Sequence, residues 1–106
     1  MDDLSAKFLP QFLSLARARL ARAIAAAAAR DHAAGPAIVG ELHTLAGEAG
    51  LLGLHDVVPL ARDGEQKARA LHTSHSDADA DALLDTLRRL ERIVENIAAA
   101  RAAQKP

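Results

Sequence analysis

Apolar residues recur at spacings of three and four in four successive segments of the chain, and this period most narrows the possible folds. Such spacing aligns side chains along one face of an α-helix, whereas a strand requires alternation at every second residue. The predicted inner faces are Leu9, Leu13, Ala16, Leu20, Ala23 and Ala27 in the first segment, Ile38, Leu42, Leu45, Ala49 and Leu52 in the second, Leu54, Val57, Ala61, Gly64, Ala68 and Leu71 in the third, and Ala80, Leu83, Leu87, Leu90, Val94 and Ile97 in the fourth. The chain is therefore predicted to be all-α and to fold as an antiparallel four-helix bundle.

Proline marks the predicted beginnings of the first two helices. The first helix is expected over about residues 4–29. Because Pro10 suits the first turn of a helix, Asp2–Leu9 is a candidate short extra N-terminal helix that meets the long helix at a kink. Residues 30–35 form a break, after which Pro36 can open the second helix.

Glycine and polar residues mark the later helix ends. Glycines at the end of the second segment indicate a tight corner. The third helix is predicted over about Leu54–His72, with Asp56 as a candidate N-cap residue. Ser76 and Asp79 form a predicted capping box at the start of the fourth helix.

Composition limits both the size and the kind of protein. The 106 residues are enough for one domain, predicted to span residues 1–106. A net charge of −1 and only two aromatic residues argue against nucleic-acid binding. The longest strongly apolar run, Ala23–Ala29, is too short to enter and cross a bilayer, and the acidic start does not resemble a secretory signal. A cytoplasmic protein without membrane insertion is expected.

One histidine lies in a part of the second helix that is rich in glycine. On a helical wheel His43 points about 140° away from the middle of the apolar stripe, so it should face solvent. Its neighbours on that side are Pro36, Gly40, Gly47 and Gly50. Each glycine inside a helix costs about 1 kcal/mol relative to alanine. An open surface around an exposed histidine would explain that cost, and it suggests a nucleophile presented to a large partner.

The other chemically notable residues have simpler explanations. Asp77–Asp81 begins like a calcium loop but lacks the required glycine and final glutamate, so it is better explained by the preference for negative charge at a helix N-terminus. His72 and His75 lie in a predicted surface linker without further ligands, and His32 and His55 receive no role. No metal site is predicted. The sequence contains no nucleophile elbow and no phosphate-binding loop, so a self-sufficient enzyme is not expected.

The segment that follows this histidine resembles the signature of histidine-containing phosphotransfer (HPt) domains. In that family the histidine precedes a spaced apolar residue, a lysine, a glycine and a Leu-Gly pair, followed by apolar residues at helical spacing and a Leu-Glu pair. The matching residues are His43, Leu45, Gly47, Ala49, Leu52, Gly53, Leu54, Val57, Leu60, Ala61 and Glu65. The signature covers about a quarter of the chain, and a four-helix bundle extends the resemblance across nearly all of it.

Three positions depart from the family pattern. Ala46 stands where the lysine three residues after the histidine is usual, a residue that assists the phosphoryl group electrostatically. Glu48 replaces a small residue. Gly64 replaces the leucine of the Leu-Glu pair and suggests close approach between helices.

The resemblance implies a function for the exposed histidine. His43 would be the phosphoacceptor, through its outer ring nitrogen Nε2. An access and docking surface is expected from Gly40, Ala46, Gly47 and Gly50, and the supporting motif residues are Leu45, Leu52, Gly53 and Glu65.

The resemblance also implies the partners. These would be response-regulator receiver domains and a sensor or hybrid histidine kinase. The chain would bind no cofactor, and the partner receiver would supply the Mg²⁺. The chain would relay phosphoryl groups between receiver aspartates, or from a kinase, in a two-component phosphorelay. Two alternatives remain: an HPt-like adaptor that binds receivers without carrying phosphate, and a structural helical dimerisation module.

Overall fold

Four α-helices account for most of the chain. The computed structural model describes the backbone of residues 3–104 and the side chains of residues 6–104. The helices are α1 (Asp3–Ala28), α2 (Gly35–Leu51), α3 (Val57–Ser74) and α4 (Asp77–Ala103), and a short 3-10 turn, His32–Ala34, precedes α2. Across the described part of the chain no strand forms, and none of the helices is both long and apolar enough to cross a membrane. The predicted all-α fold is confirmed.

Contacts between neighbouring helices show that the bundle is antiparallel. Arg17 of α1 pairs with Glu95 near the end of α4 (Nε–Oε2 2.7 Å), whereas Arg30, just after α1, pairs with Asp81 near the start of α4 (Nη2–Oδ1 2.6 Å). The helices α3 and α4 are joined by a two-residue connection and must therefore reverse direction. The order of contacts is thus opposite along α1 and α4, and the chain reverses direction between α3 and α4.

The first helix differs from its prediction. It is continuous from Asp3 through Pro10, so the separate short N-terminal helix is wrong; Asp2, the first residue of that prediction, lies outside the described residues. Leu9, Phe12 and Leu13 are all buried on either side of Pro10. Their packing on one apolar face holds the helix together and outweighs the hydrogen bond that proline removes.

The third helix begins later than predicted. It starts at Val57, after the turn that contains Leu54 and Asp56. Pro59 then falls in the first turn, where backbone N–H groups have no partner within the helix, so proline is tolerated there. Asp56 occupies the N-cap position but makes no side-chain capping bond.

Of the two residues of the predicted capping box at the start of α4, Ser76 caps the helix as predicted and Asp79 does not. Ser76 Oγ accepts a hydrogen bond from the Asp79 backbone N–H at 3.1 Å. The Asp79 carboxylate accepts a hydrogen bond from the Ser74 hydroxyl instead of returning to the Ser76 backbone.

The four predicted apolar stripes meet in one core. Nearly all of their members are buried, whereas Leu52, Leu54 and Ile97 at the ends of the stripes are half-buried. Phe12 and Ala46 also enter the core, and two polar side chains, Glu65 and Thr86, are buried with it. Of these buried groups, Glu65 bears directly on the functional site.

Candidate functional site

His43 is exposed in the middle of α2, as its position on the helical wheel predicted. Its side chain retains 74% of its possible accessible surface. The next residue on one side, Leu42, is 1% exposed and fixed in the core. The imidazole is therefore accessible, while the backbone that carries it is held by tight packing.

The surface around this imidazole is bare. Gly40, Gly47 and Gly50 are all exposed on the same side of α2. A Cβ atom added at Gly40 or Gly47 would meet nothing within 4 Å, and one at Gly50 would lie 3.9 Å from Val58 Cγ2. Packing within the chain therefore does not require glycine at these positions, and the space they leave lies open beside His43.

A buried carboxylate faces the inner nitrogen of the imidazole. Glu65 of α3 has a side chain only 7% exposed, and its Oε1 lies 3.5 Å from His43 Nδ1. Within the described part of the chain this oxygen is shielded from solvent and has no hydrogen-bond partner. A carboxylate held in this way can accept a hydrogen bond from Nδ1–H or stabilise positive charge on the ring. Glu65, predicted only as a motif residue, thus adjoins the exposed histidine.

Glycine in α3 permits this contact. A Cβ atom at Gly64 would lie only 2.8 Å from Leu42 Cδ1, far inside van der Waals contact. The Leu42 side chain of α2 therefore packs directly onto α3 at Gly64, and the adjacent residues, His43 and Glu65, come together. The close approach suggested by the departure at Gly64 is confirmed.

One basic side chain lies at the outer edge of this pair. Arg69, one turn after Glu65 on α3, places Nη2 at 3.6 Å from Glu65 Oε2, and its side chain is 54% exposed. Lys67 instead lies against α4, where its Nζ is 2.7 Å from Thr86 Oγ1 and 2.8 Å from Asp63 Oδ2.

The position of Ala46 differs from the prediction. It is 2% exposed, so its assignment to the access and docking surface is wrong. On α2 it lies about 60° from His43 on the side of Leu42, which is the side that α3 covers. The other motif positions are structural: Leu45 is fully buried, Leu52 is half-buried at the corner, and Gly53 adopts a φ of +72° there.

An apolar groove near the end of α2 was not predicted. It is lined by Phe8, Gln11, Phe12, Leu15, Glu48, Leu51 and Leu52. Leu51 is 85% exposed, and Phe8 and Leu15 are 42% and 39% exposed. The adjacent leucines Leu51 and Leu52 of the second segment were the available signal, because neighbouring residues of a helix point about 100° apart and Leu51 lies off the predicted apolar stripe.

His32, His72 and His75 lie together where α3 ends and the 3-10 turn precedes α2. His32 and His75 stack with ring centroids 4.0 Å apart, and His72 Nδ1 lies 3.1 Å from the His32 carbonyl oxygen. Among the side chains that the structure describes, no group of three or more suits a metal ion. This histidine cluster lies beside Gly35 at the start of α2, apart from the site around His43.

Comparison with known proteins agrees with this geometry. The family model of the Hpt domain matches residues 7–102. No curated protein and no solved structure matches the chain. The matched range includes the exposed histidine of α2, the buried glutamate of α3 and nearly the whole bundle. The chain belongs to the Hpt domain family, the histidine phosphotransfer modules of two-component signalling.

Proposed function

We propose that this chain carries a phosphoryl group on His43 and exchanges it with aspartates of receiver domains, or accepts it from a histidine kinase. The observation that best supports this function is the pairing of an exposed imidazole with a buried carboxylate at its inner nitrogen, 3.5 Å away. The family match supports the reaction class. The chain would act in the cytoplasm and bind no nucleic acid.

The proposed chemistry follows from the two ring nitrogens. With its proton on Nδ1, facing Glu65, the neutral ring has its free lone pair on Nε2. That lone pair attacks the phosphorus of an aspartyl phosphate; an N–P bond forms, the P–O bond to the aspartate breaks, and the carboxylate leaves. The proton stays on Nδ1, so the product ring is cationic, and Glu65 stabilises that charge. The reverse reaction returns the group to an aspartate.

The partner would provide the rest of the catalytic apparatus. Phosphoryl transfer depends mainly on positioning and charge neutralisation. The receiver would bring the aspartate and a Mg²⁺ ion, while this chain would bring a nucleophile on a rigid helix. The open space at Gly40, Gly47 and Gly50 would admit the rim of the receiver's active site.

The apolar groove supports docking of a protein partner. Leu51 lies two turns along α2 from His43, a distance of about 12 Å at the rise of an α-helix. Phe8 and Leu15 of α1 extend the same surface. A receiver placed over His43 could cover these side chains and exclude water from them, which favours association.

A second candidate function is an adaptor that binds receivers without carrying phosphate. The uncharged Ala46, which is buried and stands where the family's cation is usual, favours this alternative. Transfer of labelled phosphate from a phosphorylated receiver separates the two functions, because an adaptor would bind the receiver and remain unlabelled. A structural dimerisation module would show neither activity and would self-associate.

The deciding experiment compares His43→Gln with His55→Gln. Both histidines are exposed, so both variants should retain the helical circular dichroism of the wild type. We expect His43→Gln to abolish labelling and His55→Gln to preserve it. Labelling of His43→Gln at the wild-type level would show that His43 is not the acceptor.

A further inference from the structure

Phosphorylation of His43 would place excess negative charge beside Glu65. A phosphoryl group carries close to two negative charges at neutral pH. The carboxylate of Glu65 lies 3.5 Å from Nδ1 of the same ring. Ala46 is buried and uncharged, so it cannot offset this charge. The protonated ring offsets only one of these negative charges, so a further cation beside the ring would stabilise the phosphorylated state.

Three basic residues of α3, namely Arg62, Lys67 and Arg69, are candidates for this cation. Lys67 already contacts other groups. Its ammonium group contacts Asp63 and the Thr86 hydroxyl on the side of α4. Arg62 and Arg69 lie on the exposed face of α3, one turn before and one turn after Glu65. The direction of their side chains distinguishes them.

Side chains in an α-helix lean toward its N-terminus. The helices α2 and α3 are antiparallel, because Leu42 faces Gly64 whereas the later Gly50 faces the earlier Val58. His43 therefore leans toward the part of α3 that carries Arg69. Arg69 in turn leans toward Glu65, and the two side chains converge. Arg62 leans in the same direction along α3, but because it precedes Glu65 this takes its side chain away from that carboxylate. The ion contact agrees, because Arg69 Nη2 lies 3.6 Å from Glu65 Oε2, whereas Arg62 has no ion pair within the described residues.

We propose that Arg69 supplies the cation that binds the phosphoryl group on His43, in place of the lysine usual at position 46. This inference rests on the proposed phosphotransfer function. In the unphosphorylated protein Arg69 partly neutralises Glu65 through one guanidinium nitrogen. Its side chain is half-exposed and free to turn outward. After transfer, the guanidinium fork donates hydrogen bonds to phosphoryl oxygens, which it can bind at two points.

The test compares Arg69→Gln and Arg69→Lys with the matched control Arg62→Gln. Each protein is loaded with phosphoramidate, which transfers its phosphoryl group to an imidazole and releases ammonia without any partner protein. The fraction phosphorylated at steady state and the half-life of the phosphohistidine are measured at low and high salt. We expect Arg69→Gln to lower the loaded fraction several-fold and to weaken its salt dependence, because an exposed cation acts through a screened field. Arg69→Lys should restore part of the loading, and Arg62→Gln should match wild type.

A Glu65→Gln background separates direct contact from an effect through Glu65. If Arg69 binds the phosphoryl group, Arg69→Gln still lowers loading when residue 65 is neutral. Loss of the effect in that background would overturn the inference, as would wild-type loading of Arg69→Gln or equal losses in Arg62→Gln. If the wild-type protein loads from neither phosphoramidate nor a phosphorylated receiver, the proposed function itself is wrong. If the wild-type protein loads normally but Arg69→Gln has no effect, only the role of Arg69 is wrong.

Discussion

At the residue scale, the site combines an exposed imidazole with a carboxylate that is costly to bury. A buried carboxylate oxygen without a hydrogen-bond partner is unfavourable unless a neighbouring group offsets it. In this chain His43 Nδ1 and the Arg69 guanidinium adjoin the two oxygens of Glu65. Each oxygen of the buried carboxylate thus has a neighbouring group that can offset its charge.

The first residue-scale prediction concerns Glu65. Glu65→Gln keeps the shape and an oxygen acceptor for Nδ1–H but removes the negative charge that stabilises a cationic ring. We expect transfer from a phosphorylated receiver to slow several-fold, and Glu65→Ala to slow it further because the ring also loses its acceptor. Rates are followed by the loss of label from the receiver. Equal rates in all three proteins would show that Glu65 has no role in the reaction.

A second prediction follows from the burial of Ala46. Ala46→Lys would introduce a long charged side chain where α3 covers α2, so we expect the free energy of unfolding to fall by about 1–3 kcal/mol. The matched control, Gly47→Lys, adds the same charge at an exposed position with no atom within 4 Å of the new Cβ. Urea denaturation of both variants checks the difference. Equal stability of the two would contradict the burial of position 46.

At the element scale, the contact between α2 and α3 determines the geometry of the site. At the level of His43 and Glu65, Gly64 lets the side chain of Leu42 pack directly against α3. This register sets the separation of His43 and Glu65 without any direct bond between their backbones. The site is thus a consequence of helix packing, and a change in that packing should alter the chemistry.

Gly64→Ala tests this dependence. Its Cβ would lie 2.8 Å from Leu42 Cδ1, and Leu42 is almost fully buried and cannot move freely. We expect a loss of about 1–3 kcal/mol in stability, typical of overpacking, and slower phosphotransfer as His43 and Glu65 separate. The control is Gly47→Ala, which should raise stability by up to about 1 kcal/mol through helix propensity. A stable Gly64→Ala variant with normal transfer would refute the proposed dependence.

The helices were more predictable from sequence than the contacts between them. A spacing of three and four residues identifies the inner face of a helix, and the stripes centred on Leu20, Leu42 and Leu87 are buried as predicted. The same spacing does not reveal which neighbouring helix covers the residues at the edge of an apolar stripe. Ala46 was therefore placed on the surface, and the burial of Glu65 against His43 was not foreseen. Both depend on the register between α2 and α3, which is a tertiary property.

At the scale of the whole molecule, the bundle presents two different surfaces beside each other. One is the glycine-lined opening around His43, and the other is the apolar groove between α1 and the end of α2. The long helices α1 and α4 give the molecule an elongated shape, with extents of 47 × 21 × 17 Å. A partner that lies along this length can reach the imidazole and the groove at once, so docking strength and chemical access can be altered separately.

Leu51→Glu tests that separation. Leu51 is 85% exposed, so its replacement should leave the fold and its stability almost unchanged. A charge in the centre of an apolar docking surface should weaken receiver binding about tenfold or more, since truncation of a central contact in an interface often costs over 1 kcal/mol. Loading of His43 by phosphoramidate should remain normal, because that reaction needs no docking. The control Ala70→Glu adds the same charge at an exposed position near the C-terminal end of α3, a helix that does not line the groove. Calorimetric titration with a receiver measures binding, and unchanged affinity in Leu51→Glu would exclude the groove from the docking surface while leaving the phosphoacceptor assignment intact.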